Sequence, residues 1–112
     1  LPQRLNPPEG FIVAANNRVV GDSYPYLIGT SFAAPYRAAR AVELLAARPR
    51  HSADDMAAIQ GDVLAVHART LMPTLLQVEP SDERPRQALD LLRAWDLRAE
   101  GERLSLALEP DW

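Results

Sequence analysis

The 112-residue chain has no cysteine, no lysine and no long apolar run. Without cysteine there is no disulfide framework, no thiolate nucleophile and no cysteine zinc site. No stretch approaches the ~18–20 apolar residues of a transmembrane helix, which excludes a membrane partner of that kind. All 12 cationic residues are therefore arginine, suited to rigid bidentate contacts. Fifteen acids outnumber them and leave a net charge of −3, and aromatics make up 6%. Neither a basic stripe nor much stacking surface is present, so nucleic acid is excluded as the expected partner. What remains is 47% hydrophobic and 24% charged, enough for one domain with a core. The opening Leu1-Pro2-Gln3-Arg4-Leu5-Asn6-Pro7-Pro8 resembles a loop entered midway, and the chain is expected to be a piece of something larger.

Hydrophobic patterning divides the chain into 1–30, 31–97 and 98–112. In the first part, Phe11 to Ala15 is a short apolar run between Gly10 and Asn16-Asn17, which predicts a buried strand. A lone strand leaves its backbone groups unsatisfied and so requires partners. The second part predicts three main helices. Ala34 to Arg48 is rich in Ala, Arg and Leu, with Thr30 or Ser31 as cap, and Ala38, Ala41, Val42 and Leu45 share a face. Ser52-Ala53-Asp54-Asp55 carries a capping-box pattern and starts the next, striped by Met56, Ile59, Val63, Val66 and Thr70 until Pro73 breaks or kinks it. Ser81 or Asp82 caps a third helix to about Trp95, with Leu89, Leu92 and Trp95 inward. Beyond residue 97, Leu104, Leu106 and Leu108 fit a strand or a short helix, and that tail stays unassigned.

Most candidate chemistry dissolves on inspection. His51 and His67 lie on different elements with no carboxylate spacing that would converge on a metal. There is no Gly-x-Ser-x-Gly, and the paired acids Asp54-Asp55 and Asp82-Glu83 sit at helix starts, where the helix dipole explains them. One constellation survives. The predicted strand delivers Asn16 and Asn17 at its carboxyl end, into a Gly21-Asp22-Ser23 loop and then a helix bearing Arg37 and Arg40. An amide fixed at a strand terminus can donate to a developing oxyanion, and an arginine can orient such an amide. The same two asparagines also read simply as a turn, and residue types leave both readings open.

Three stretches resemble the penicillin amidase (penicillin acylase) family: Asn6-Pro7-Pro8-Glu9-Gly10-Phe11-Ile12-Val13-Ala14-Ala15-Asn16-Asn17, Tyr24-Pro25-Tyr26-Leu27, and Ala34-Pro35-Tyr36-Arg37-Ala38-Ala39-Arg40. The likeness continues through Ser52 to Met56, Ile59-Gln60-Gly61-Asp62 and Leu71-Met72-Pro73-Thr74-Leu75-Leu76, covering roughly residues 5–97. It implies a segment of the larger chain of an N-terminal-nucleophile hydrolase, an α/β/β/α fold made as a self-cleaving precursor. In such enzymes an amino-terminal serine attacks an amide carbonyl, with its own α-amino group as base. Substrates implied are β-lactam antibiotics, cephalosporins or acyl-homoserine lactones.

By motif match, Asn16 corresponds to the asparagine whose side-chain amide completes the oxyanion hole, and Arg37 to the positioning arginine near that asparagine and the substrate-binding site. Leu1 is no nucleophile, so the segment by itself is expected to be inactive, with the remainder of the acylase precursor as its partner. Some members hold calcium through an acid in the loop before the arginine helix. Asp22 is the acid there, it does not align, and no metal ligand or other cofactor residue is carried over. The resemblance also implies a periplasmic or secreted protein. Helical stripes broad enough for two neighbours add the expectation that isolated copies pair. The alternative is a non-catalytic helical interaction or oligomerisation module.

Overall fold

The computed structural model describes residues 2–100. Four helices run through them: α1 (Tyr36–Ala46), α2 (Ala53–Gln60), α3 (Val66–Leu75) and α4 (Glu83–Ala94). The mostly helical expectation holds, but the long middle helix is two. Gly61 closes α2, its N–H reaching the carbonyls of Ala57 and Ile59. Asp62 Oδ1 then accepts from Leu64 N–H at 3.1 Å, a local bond that competes with helical winding. Leu64 makes an isolated antiparallel bridge with Arg98. Ala65 N–H donates to Leu97 O at 2.8 Å and Ala99 N–H to Val63 O at 3.0 Å. Those bonds use backbone groups that a continuous helix would have kept for itself.

The chain forms two compact units, divided after Gly61. In the first, α1 starts at Tyr36, two residues later than the spacing suggested. Neither Thr30 nor Ser31 caps it, and Pro35 occupies the cap position with no side-chain bond. The reason lies just upstream, where Ala33 N–H donates to the Asn16 carbonyl at 2.8 Å. The chain before Pro35 is tied to the loop rather than wound into the helix. On the predicted α1 face Ala38 is buried, Ala41 and Leu45 are half-buried, and Val42 is exposed. The α2 start matches its pattern. Ser52 Oγ accepts from Asp55 N–H at 3.1 Å while Asp55 Oδ2 accepts from Ser52 N–H at 2.9 Å, a reciprocal capping box.

In the second unit, α3 runs through Pro73 to Leu75 and stops short of Val78. Proline has no N–H for the carbonyl four residues back, and the helix ends two residues after it. Pro85 sits in the first turn of α4, where an N–H would have had no intrahelical acceptor. Asp82 takes the α4 cap position, but its side chain makes no cap bond. The buried residues here are Ala65, Val66, Ala68, Met72 and Leu89.

Phe11 to Ala15, expected as a strand, has no strand pairing, and no ladder runs among the described residues. With no ladder among the described residues, the backbone bonds of that run go elsewhere. The candidate at Leu104, Leu106 and Leu108 lies outside the described residues.

Candidate functional site

The site is built on the turn that leaves residues 11–15. Asn16 adopts a left-handed backbone, with φ of 59°. Asparagine tolerates that region far better than β-branched or bulky residues, because its short polar side chain can bond locally. The turn projects the Asn16 carboxamide toward the first turn of α1, where Arg37 waits. Arg37 Nη2 donates to Asn16 Oδ1 at 2.9 Å and to the Ala15 carbonyl at 3.1 Å. Thus the two residues singled out from the sequence, 21 positions apart, meet directly.

This contact fixes which end of the amide faces which way. A guanidinium offers donors and no acceptor, so the atom against it must be the carboxamide oxygen. The Nδ2 group therefore points away from Arg37, and it has no hydrogen bond to the described residues. Both Nη2 hydrogens of Arg37 are used, which leaves Nη1 and Nε as further donors. Asn16 and Arg37 are both exposed in this chain. Chemically, the arrangement is a carboxamide held by its oxygen with its N–H group presented outward.

Arg40, the other arginine of the surviving constellation, is not part of this contact. It pairs with Glu43 one turn along α1, at 2.6 Å. Asp22, the acid before the arginine helix, is engaged by Arg18. No group of three His, Asp or Glu side chains stands together among the described residues. No helix of the described residues is long and apolar enough to cross a membrane.

Sequence reasoning left two features aside. Asn17 binds the backbone on both sides of the Asn16 turn, with its Oδ1 accepting from Ala15 N–H at 3.1 Å and its Nδ2 donating to Arg18 O at 3.0 Å. The signal was the asparagine pair itself, since this side chain characteristically bonds nearby backbone. The other is a cavity of about 590 Å³ between Glu9, Gly10 and Phe11 on one side and Val42, Leu45 and His51 on the other. His51 Nε2 lies 2.9 Å from the Leu45 carbonyl, which makes it the protonated nitrogen. Nδ1 is buried with no partner among the described residues. Neither Asn16 nor Arg37 lines that cavity.

The family model for penicillin amidase matches residues 1–111. This chain belongs to the penicillin amidase family. It is 41% identical over 99 residues to the penicillin acylase 2 proenzyme of Pseudomonas sp. (strain SE83), a match covering 88% of this chain and 13% of that proenzyme. The chain thus corresponds to a small part of a much longer precursor. No solved structure matches it.

Proposed function

We propose that this chain is the part of a penicillin acylase-type amidohydrolase that supplies an oxyanion donor, Asn16, and the residue that positions it, Arg37. The whole enzyme would cleave a side-chain amide of the kind found in β-lactam antibiotics, cephalosporins or acyl-homoserine lactones. The observation that carries this reading is the 2.9 Å bond from Arg37 Nη2 to Asn16 Oδ1. With its oxygen held against Arg37, the carboxamide presents its Nδ2 as a donor.

In the reaction, an amino-terminal serine belonging to the rest of the protein attacks the scissile carbonyl, and its α-amino group takes the proton. Negative charge builds on the carbonyl oxygen as the tetrahedral centre forms. Asn16 Nδ2 donates to that oxygen, and Arg37 prevents the amide from rotating its own oxygen into the repulsive position. In a site shielded from water such a donor is worth ~3–4 kcal/mol. Asn16 is exposed here, so the shielding comes from the remainder of the precursor and from the bound substrate. Location in the periplasm or outside the cell belongs to the same reading.

The test uses the whole matured enzyme. Asn16→Asp keeps a residue that accepts the left-handed turn and removes the N–H donor. It should lower kcat by roughly 10²–10³ with KM little changed. Turnover equal to that of the unmodified enzyme would remove Asn16 from the oxyanion role.

A further inference from the structure

We propose that Asn17 is a positioning residue for the amide chemistry, acting through Asn16 by fixing the Ala14–Ala15 peptide one residue before it. This rests on the reading of Asn16 as oxyanion donor and adds a residue to it.

The peptide groups around Asn16 need tethers because no ladder supplies them. Three bonds do so. Ala15 N–H donates to Asn17 Oδ1 at 3.1 Å. The Ala15 carbonyl accepts from Arg37 Nη2 at 3.1 Å. The Asn16 carbonyl accepts from Ala33 N–H at 2.8 Å. Asn17 reaches back across the turn with its own side chain, and it is half-buried while Asn16 is exposed. Its amide orientation is chemically determined: the oxygen must face the Ala15 N–H, and the NH₂ must face the Arg18 carbonyl, 3.0 Å away. One asparagine presents its amide outward, and its neighbour spends its own amide on the backbone at either side.

Loss of the Asn17 oxygen would orphan the Ala15 N–H and let the peptide between residues 14 and 15 turn. Ala15 would then carry its carbonyl away from Arg37, and the guanidinium would lose one of the two acceptors that aim it at Asn16. A shift of the donor by about 1 Å is enough to cost up to ~10² in rate. Asn17 touches neither substrate nor reacting atoms in this scheme.

The experiment measures kcat, KM and melting temperature of the whole matured acylase on a chromogenic amide, for Asn17→Ala and Asn17→Asp in the unmodified and Asn16→Asp backgrounds. Asn17→Ala should lower kcat by about 10- to 10²-fold with KM within about twofold. Asn17→Asp keeps the oxygen that holds the Ala15 N–H and should recover part of that loss. In the Asn16→Asp background, Asn17→Ala should cause no further fall in kcat, because the group it positions is already gone. Unchanged kcat in Asn17→Ala, or an equal fall in both backgrounds, would overturn the proposal. Should Asn17→Ala fail to mature, Asn17→Asp carries the same comparison, and an equal kcat loss in both backgrounds would again overturn it. A fully active Asn16→Asp enzyme would instead sink the oxyanion reading. A crippled Asn16→Asp enzyme beside a normal Asn17→Ala enzyme would sink the positioning role of Asn17 alone.

Discussion

At Asn16 one residue meets two separate demands. Its backbone enters the left-handed region and its side chain carries an acceptor for Arg37, and under the proposed function that side chain must also supply a donor for the substrate. Glycine satisfies the first and neither part of the second. Alanine satisfies neither, since a left-handed backbone costs an ordinary residue roughly 1–2 kcal/mol. Arg37 separates the chemistry from the fold, because its guanidinium is exposed at the helix surface. Arg37→Leu should therefore leave the melting temperature of the whole enzyme nearly unchanged while kcat falls, by less than in Asn16→Asp. The Asn16 donor would still exist but would no longer be aimed. A melting temperature that falls in step with kcat would assign Arg37 a structural role instead.

Among the elements, the α1–α2 junction has the best-defined electrostatics. Asp55 is bound by Ser52 through backbone and hydroxyl, and Arg48 Nη1 approaches Asp55 Oδ1 to 2.5 Å. The Ser52 backbone bond, then the Ser52 hydroxyl, hold the Asp55 carboxyl below its usual range, with Arg48 and His51 adding to the effect. A carboxyl with a depressed value stabilises the fold above its ordinary titration range and ceases to do so as pH falls through the lowered value. The stability difference between the native protein and Asp55→Asn should thus be constant near neutrality. It should shrink only below about pH 4. At neutral pH, Ser52→Ala should cost about 1 kcal/mol, read from denaturant midpoints, and Ser52→Gly a few tenths.

The same junction shows what sequence can reveal at this scale. Ser52 and Asp55 were legible because a capping box is a local pattern whose two partners lie three residues apart. The inward side of α4 at Leu89 was legible from spacing as well, and Leu89 is buried. The break at Gly61 was not, because the stripe from Met56 to Thr70 continues through it at helical period. What decides the break is pairing with residues 97–99, far along the chain, and periodicity contains no such information. The Asn16–Arg37 contact was legible through family likeness, whereas the sequence named Asn17 beside Asn16 without separating their roles, because a scaffold asparagine and a turn asparagine look identical in sequence.

Across the whole molecule, the described residues hide little apolar surface. No large side chain among them is fully buried, while Leu5 is 87% and Leu27 81% exposed. Large apolar patches mark surfaces that other protein covers, although single exposed apolar residues do not. Under the proposed function, the remainder of the precursor would cover these exposed side chains. The 112-residue chain made by itself should therefore self-associate, with sedimentation coefficients that rise with concentration. A compact monomer at high concentration would show that these side chains need no cover.

Leu97 holds its backbone at φ 63°, within the segment that bridges to residue 64, and its carbonyl receives the Ala65 N–H. A γ-branched residue is poorly suited to that conformation, whereas glycine enters it without steric penalty. Engineers seeking heat tolerance usually remove glycines. Here the direction reverses: Leu97→Gly should leave the thermal midpoint of the whole enzyme equal or higher, because relief of ~1–2 kcal/mol of backbone cost exceeds the ~0.5–1 kcal/mol that glycine adds in chain entropy.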